Sequence, residues 1–211
     1  MLKNKNSSGI VFVLSAPSGT GKTSLCKHIA ASLDHIQESV SMTTRQSRPD
    51  EQEGKDYFFV SKKDFQAYQT QARFVEWTQI HDHFYGTPLD PMMECLNQSK
   101  DVICALDQVG LQKLKSHTAL NGEIVSIFVV PPSQDALKFR LEQRGQDSPE
   151  VISRRLAASS IEMHQWVYYD YVVFNDDFLM AACEIMAIIR AEKLKSVYQF
   201  GRIKKIIEEW K

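Results

Sequence analysis

Short apolar runs alternate with amphipathic stretches along most of the chain. Residues 10–15 (IVFVLS), 101–106 (DVICAL), 124–130 (IVSIFVV) and 171–174 (YVVF) are nearly continuous apolar segments. A strand buried on both faces reads this way, because neither of its sides alternates with polar residues. Leu25, Ile29 and Leu33 recur at helical spacing, which predicts a helix over 22–33. Similar patterns predict helices near 88–98, 108–116, 133–143, 148–166 and 178–196. Strands alternating with helices argue for an α/β fold with a parallel sheet flanked by helices.

Two segments break this rhythm. Residues 41–87 read as strand fragments (YFFV at 57–60, FVEWTQI at 74–80, HFYG at 83–86) around a short helix at 62–70. A small mixed-sheet insertion is the natural expectation. Residues 133–160 are helical and rich in arginine. The tail, 197–211, predicts a helix mixing Ile203, Ile206, Ile207 and Trp210 with charges, and residues 1–9 read as a disordered polar lead. No internal repeat or low-complexity stretch is visible.

Composition narrows the classes. The 211 residues suit one core carrying small lobes, and 43% hydrophobic with 24% charged residues is ordinary for a globular protein. A net charge of −1 supplies no global field for nucleic acid or an anionic membrane, so any anion site must be built locally. Cys26, Cys95, Cys104 and Cys183 form no CxxC pair, which fits reduced thiols and a cytoplasmic location. Lys3 and Lys5 before an apolar run mimic a secretory leader. The run from Ile10 to Leu14 is shorter than the roughly 7–15 residues such a leader needs, and no stretch reaches the ~18 of a membrane span.

The first apolar run leads into Ala16-Pro17-Ser18-Gly19-Thr20-Gly21-Lys22-Thr23. This is the phosphate-loop pattern G-x-x-x-x-G-K-[ST] with Ala16 at the first glycine position. Gly19 and Gly21 let backbone N–H groups turn inward as an anion nest, and the following helix adds its positive end. Lys22 can reach β- and γ-phosphates, and Thr23 offers a hydroxyl to Mg²⁺. A strand before the loop and a helix after it are the context this mechanism requires. The loop names a nucleoside triphosphate as ligand and leaves the acceptor open.

Thr44-Arg45-Gln46-Ser47-Arg48-Pro49 sets two guanidinium groups three residues apart, able to fork onto a phosphate. This stretch from Ser41, with Gly54-Lys-Asp-Tyr-Phe-Phe, Phe74-Val-Glu-Trp, Tyr85-Gly-Thr, Arg144-Gly-Gln-Asp and Val173-Phe-Asn-Asp-Asp, resembles the guanylate kinase family from Ser15 to about Leu194. The resemblance implies a P-loop core (1–40, 88–132 and 161–211), a GMP-binding lobe (41–87) and a helical lid (133–160). It implies that Arg45, Arg48, Tyr57 and Tyr85 hold the GMP phosphate, and that Ser41, Glu76, Thr87 and Asp107 read guanine. Lys22, Arg45, Arg140, Arg144 and Arg155 would surround the transferring phosphoryl group, with Asn175 near the adenine of ATP. The reaction implied is transfer from Mg·ATP to GMP, and to dGMP, in purine nucleotide metabolism. GMP and ATP are the expected partners, with no nucleic acid and no membrane; oligomeric state stays open.

The chemistry of the residues agrees. Guanine presents N1–H and an exocyclic amine, and an ionised carboxylate is an acceptor only. Hydroxyls of Ser41 or Thr87 can donate to O6. Adenine has the opposite pattern at these positions.

The chain departs from the family where an Asp-Ile-Asp is usual: Ala105-Leu106-Asp107 stands there. Asp107 is kept, and the earlier acid, which resembles one that helps hold the Mg²⁺ shell, is gone. Thr23, water and phosphate oxygens are then the expected ligands. Asp176 and Asp177 read as helix caps, and His81 and His83 around Asp82 as a solvated hairpin turn. The rival readings are an inactive guanylate-kinase-like interaction module, which characteristically lacks a working phosphate loop, and a P-loop kinase for another monophosphate.

Overall fold

The computed structural model describes residues 9–49, 51–80, 82–117, 120, 123–143 and 148–210. Arg144 with the following Gly-Gln-Asp, His81 and most of the polar lead lie outside these residues.

Five parallel strands form the main sheet: β1 (Val11–Ser15), β2 (Ile36–Glu38), β7 (Asp101–Ala105), β8 (Ile124–Val130) and β9 (Tyr171–Phe174), in the order β2-β7-β1-β8-β9. The four apolar runs became four of these strands. Successive side chains on β1 point to opposite faces, and both faces are covered. Phe12 and Leu14 pack with Leu25 and Ile29 of α1 (Lys22–Ser32) and with Ile185 and Ile189 of α7 (Phe178–Lys193). Val11 and Val13 pack with Met92 and Leu96 of α3 (Leu89–Asn97) and with Leu111 and Leu114 of α4 (Gln108–Ser116).

A second sheet has the order β4-β3-β6-β5, from β3 (Met42–Thr43), β4 (Phe58–Phe59), β5 (Phe74–Ile80) and β6 (His83–Pro88). The β3–β4 pair is parallel, and β6 runs antiparallel to both β3 and β5. Its core is small. Phe65 of α2 (Lys62–Thr70) is fully buried and stacks on Phe74 at 4.5 Å and Phe84 at 5.5 Å between ring centroids. Ser61 caps α2 by accepting from Asp64 N–H.

Two further helices, α5 (Gln134–Gln143) and α6 (Pro149–Met163), pack together through Leu137, Leu141, Ile152 and Leu156. The helix expected over 148–166 ends at Met163 and tightens into a 3₁₀ turn, His164–Tyr168. The tail forms α8 (Ser196–Glu209), none of whose residues is buried; Tyr198 ties it to Glu123 at 2.6 Å. Among the described residues, no helix is long and apolar enough to cross a membrane.

Candidate functional site

The carboxyl edge of the parallel sheet carries the phosphate loop, Asp107 and Asn175, where open α/β sheets bind their ligands. The phosphate loop follows β1, Asp107 follows β7 and Asn175 follows β9. Ser15 closes the edge by donating from its hydroxyl to Leu106 O at 2.6 Å.

Backbone geometry builds the loop. Gly19 (φ +92°) and Gly21 (φ +105°) occupy the left-handed region that strains other residues. Gly19 is also crowded: a side-chain carbon there would come within 2.9 Å of Leu141 Cδ2 and 3.1 Å of Leu137 Cδ1. The α5–α6 pair therefore packs directly on the loop. Thr20 is fully buried, and its hydroxyl donates to Pro17 O at 2.8 Å. The Lys22 ammonium donates to Ala16 O. Thr23 lies exposed on the first turn of α1.

Asn175 is buried behind the loop and donates from Nδ2 to Thr20 O at 2.8 Å, while its Oδ1 has no hydrogen-bond partner. Arg140 donates to Thr20 O at 3.1 Å and to Asn175 O at 3.4 Å. Together with Phe139, Gln143, Ser24 and Phe178 these residues line a cavity of about 400 Å³ beside Gly19 and Gly21. Arg155 is half-buried on α6. Asp177 caps α7 by accepting from Met180 N–H at 2.9 Å.

Three residues meet where β5 and β6 face α4. Thr87 donates to Glu76 Oε1 at 2.9 Å. Asp107 caps α4, its Oδ1 accepting from Gly110 N–H at 2.7 Å, which leaves Oδ2 for another partner. Both acids converge on Gly110, where a side-chain carbon would lie 3.2 Å from Glu76 Cγ and 3.4 Å from Asp107 Oδ1. Burial raises the Glu76 carboxyl above its ordinary range. The Thr87 hydrogen bond pulls it back, and the charge of Asp107 raises it again.

A second group surrounds Arg45, just past β3. Its guanidinium lies 5.5 Å from the Tyr57 ring centroid, and the Tyr57 and Tyr85 rings meet edge to face at 6.1 Å. Glu51 accepts from Arg45 at 2.8 Å and from Arg48 N–H at 2.9 Å, and the Arg45 hydrogen bond holds its carboxyl below the usual value. Arg48 is exposed and Ser41 half-buried. The Phe58 N–H donates to the Ser41 carbonyl at 2.9 Å, which ties β4 to the start of β3.

The structure thus brings Glu76, Thr87 and Asp107 into one cluster, Arg45, Tyr57 and Tyr85 into another, and Arg140 and Asn175 onto the phosphate loop. Sequence reasoning missed Glu51 and Glu162, whose Oε2 accepts from Ser18 N–H at 3.2 Å. No local signal marks a long-range partner such as Glu162. Glu51 stands three residues past Arg48, a spacing that suits a turn.

The described residues hold no group of three or more His, Cys, Asp or Glu placed for a metal. The exposed Thr23 hydroxyl suits Mg²⁺, which keeps most of its water and phosphate ligands.

Comparison with known proteins agrees with the motifs. The guanylate kinase family model matches residues 8–192. A guanylate kinase of Rhizobium meliloti is 40% identical over 187 residues, covering 89% of this chain and 84% of that protein. One from Rhodopseudomonas palustris is 42% identical over 193 residues, covering 92% and 87%. The crystal structure of guanylate kinase from Anaplasma phagocytophilum superposes with a TM-score of 0.70 at 32% identity, covering 92% of this chain and 90% of that one. With its phosphate loop, its paired acids and these relatives, the chain belongs to the guanylate kinase family.

Proposed function

We propose that this chain is an ATP:GMP phosphotransferase. An oxygen of the GMP phosphate attacks the γ-phosphorus of ATP, the bond to the ADP oxygen breaks, and GDP and ADP leave. Little covalent work falls to the protein in such a transfer, so positioning and charge stabilisation carry the catalysis. The observation that supports guanine most is the meeting of Glu76, Thr87 and Asp107 at one end of the small sheet. Glu76 and the spare oxygen of Asp107 accept from N1–H and the exocyclic amine; Ser41 donates to O6, or Thr87 does so if its hydroxyl turns away from Glu76. A site built on such bonds rejects the wrong base by roughly 10⁴–10⁵-fold.

Arg45, Arg48, Tyr57 and Tyr85 take the acceptor phosphate, which replaces the Glu51 carboxylate on Arg45. The 16–23 loop and Lys22 take the donor phosphates, with Arg140, Arg144 and Arg155 stabilising the transferred group. Asn175 lies toward the adenine. Thr23 would hold Mg²⁺, which neutralises phosphate charge when bound; Ala105 leaves that shell without a second protein oxygen from β7. All proposed acceptor contacts go to base and phosphate, so dGMP is accepted as well. Residues 41–87 act as the lobe that carries GMP and 133–160 as the lid that excludes water. The free thiols of Cys26, Cys95 and Cys104, all buried, and of exposed Cys183 suit a reducing cytoplasm.

A coupled assay of ADP release with GMP, dGMP, AMP and dTMP tests this. Turnover with GMP and dGMP alone is expected. Turnover with none favours the interaction module, and preference for AMP or dTMP overturns the base assignment.

A further inference from the structure

The α5–α6 pair touches the phosphate loop in two chemically different ways. Leu137 and Leu141 of α5 close over Gly19. Glu162, next to the last residue of α6, places Oε2 on Ser18 N–H at 3.2 Å. Ser18 is the third residue of the 16–23 turn, the stretch whose inward N–H groups recognise an anion. Glu162 is half-buried and shares a cavity of about 90 Å³ with Ser15, Ala16, Asp107, Gln165 and Tyr169. Glu162 therefore borders one cavity together with the start of the loop and Asp107.

A carboxylate and a polyphosphate cannot share that N–H. Both are acceptors there, and their like charges repel at contact distance. We propose that Glu162 is a stand-in anion: it occupies an N–H of the phosphate loop in the absence of nucleotide, competes with the donor's phosphates and is displaced by them. Displacement frees the end of α6, while the leucine contact at Gly19 persists, so occupancy of the loop is transmitted to the helix pair. This rests on the phosphotransferase reading.

Calorimetric titration of the full chain with ATP, with tripolyphosphate and with GMP tests it, using Glu162→Ala and the isosteric Glu162→Gln. Both variants are expected to bind ATP and tripolyphosphate about three- to tenfold tighter, a span of about 0.7–1.4 kcal/mol, with GMP affinity unchanged. In turnover, KM for ATP falls by the same factor while KM for GMP holds. A carboxylate that merely braces the loop gives the opposite sign: Glu162→Ala binds ATP more weakly and Glu162→Gln restores it. That result, or equal affinities in all three proteins, overturns the inference alone. A wild-type chain that binds neither ATP nor tripolyphosphate overturns the phosphotransferase reading and this inference with it.

Discussion

The proposed donor loop and the proposed acceptor clusters are built by opposite strategies. The loop is eight consecutive residues whose proposed binding groups are mostly backbone N–H with the Lys22 and Thr23 side chains, held by β1, two left-handed glycines and the start of α1. The acceptor side draws side chains from Arg45 past β3, Tyr57 beside β4, Glu76 on β5, Tyr85 and Thr87 on β6, and Asp107 at the head of α4. The first rests on a two-faced core, and the second largely on a cluster of Met42, Phe65 and Phe74 with a few partners. A backbone site tolerates changes such as Ala16 but fails if its torsions change. A side-chain site keeps its fold when one reader is altered and loses only recognition.

Substitutions sharpen this contrast. The largest effect is expected for Lys22→Ala, which should lower kcat by about 10³-fold with an unchanged melting temperature. A melting temperature that falls with activity would make Lys22 structural instead.

Phe65→Ala attacks the weaker platform. Emptying its fully buried site should cost about 3–4 kcal/mol in denaturant unfolding. Hydrogen exchange should rise first in β5 and β6, and GMP binding should suffer before ATP binding. Equal loss of both ligands would show that the two platforms unfold as one.

Next comes Glu76→Gln, expected to weaken GMP about 30-fold, roughly 2 kcal/mol, and to leave ATP unchanged. The wild-type pH profile makes the same point. Burial raises the Glu76 pKa, and a guanine donor edge favours the ionised form. GMP affinity should therefore fall as pH drops through that raised value, with protons released on binding, while ATP affinity shows no matching step.

The smallest effect concerns the join between the two regions. Lys27 of α1 is ion-paired with Asp56 near β4, and burial raises the neighbouring Glu38 to about 7. The folded state then holds a proton the unfolded chain has lost, so stability should decline between about pH 4.5 and pH 7. Glu38→Gln should remove about 1–2 kcal/mol of that slope in unfolding at the two pH values, allowing for solvent screening.

What was legible follows from the same contrast. The four apolar runs named β1, β7, β8 and β9, and the glycine-lysine turn named the loop, because both signals are local. The three-residue β2 and two-residue β3 carry no run long enough to read; sheet neighbours make them strands. The 148–166 pattern was continuous in sequence, yet the helix ends at Met163, where the chain tightens before β9. Resemblance grouped Glu76 and Asp107 as readers of one base, without saying what brings them together. The packing of α4 on β5 brings both acids to Gly110. The Glu162–Ser18 contact joins residues 144 apart, beyond any local pattern.

A crystal structure with GMP bound tests the central claim most directly. The account predicts Glu76 and Asp107 carboxylate oxygens within about 2.7–3.2 Å of guanine N1 and N2, with the phosphate on Arg45 and Glu51 turned away. A base seated elsewhere, with both carboxylates directed away from it, would contradict the account.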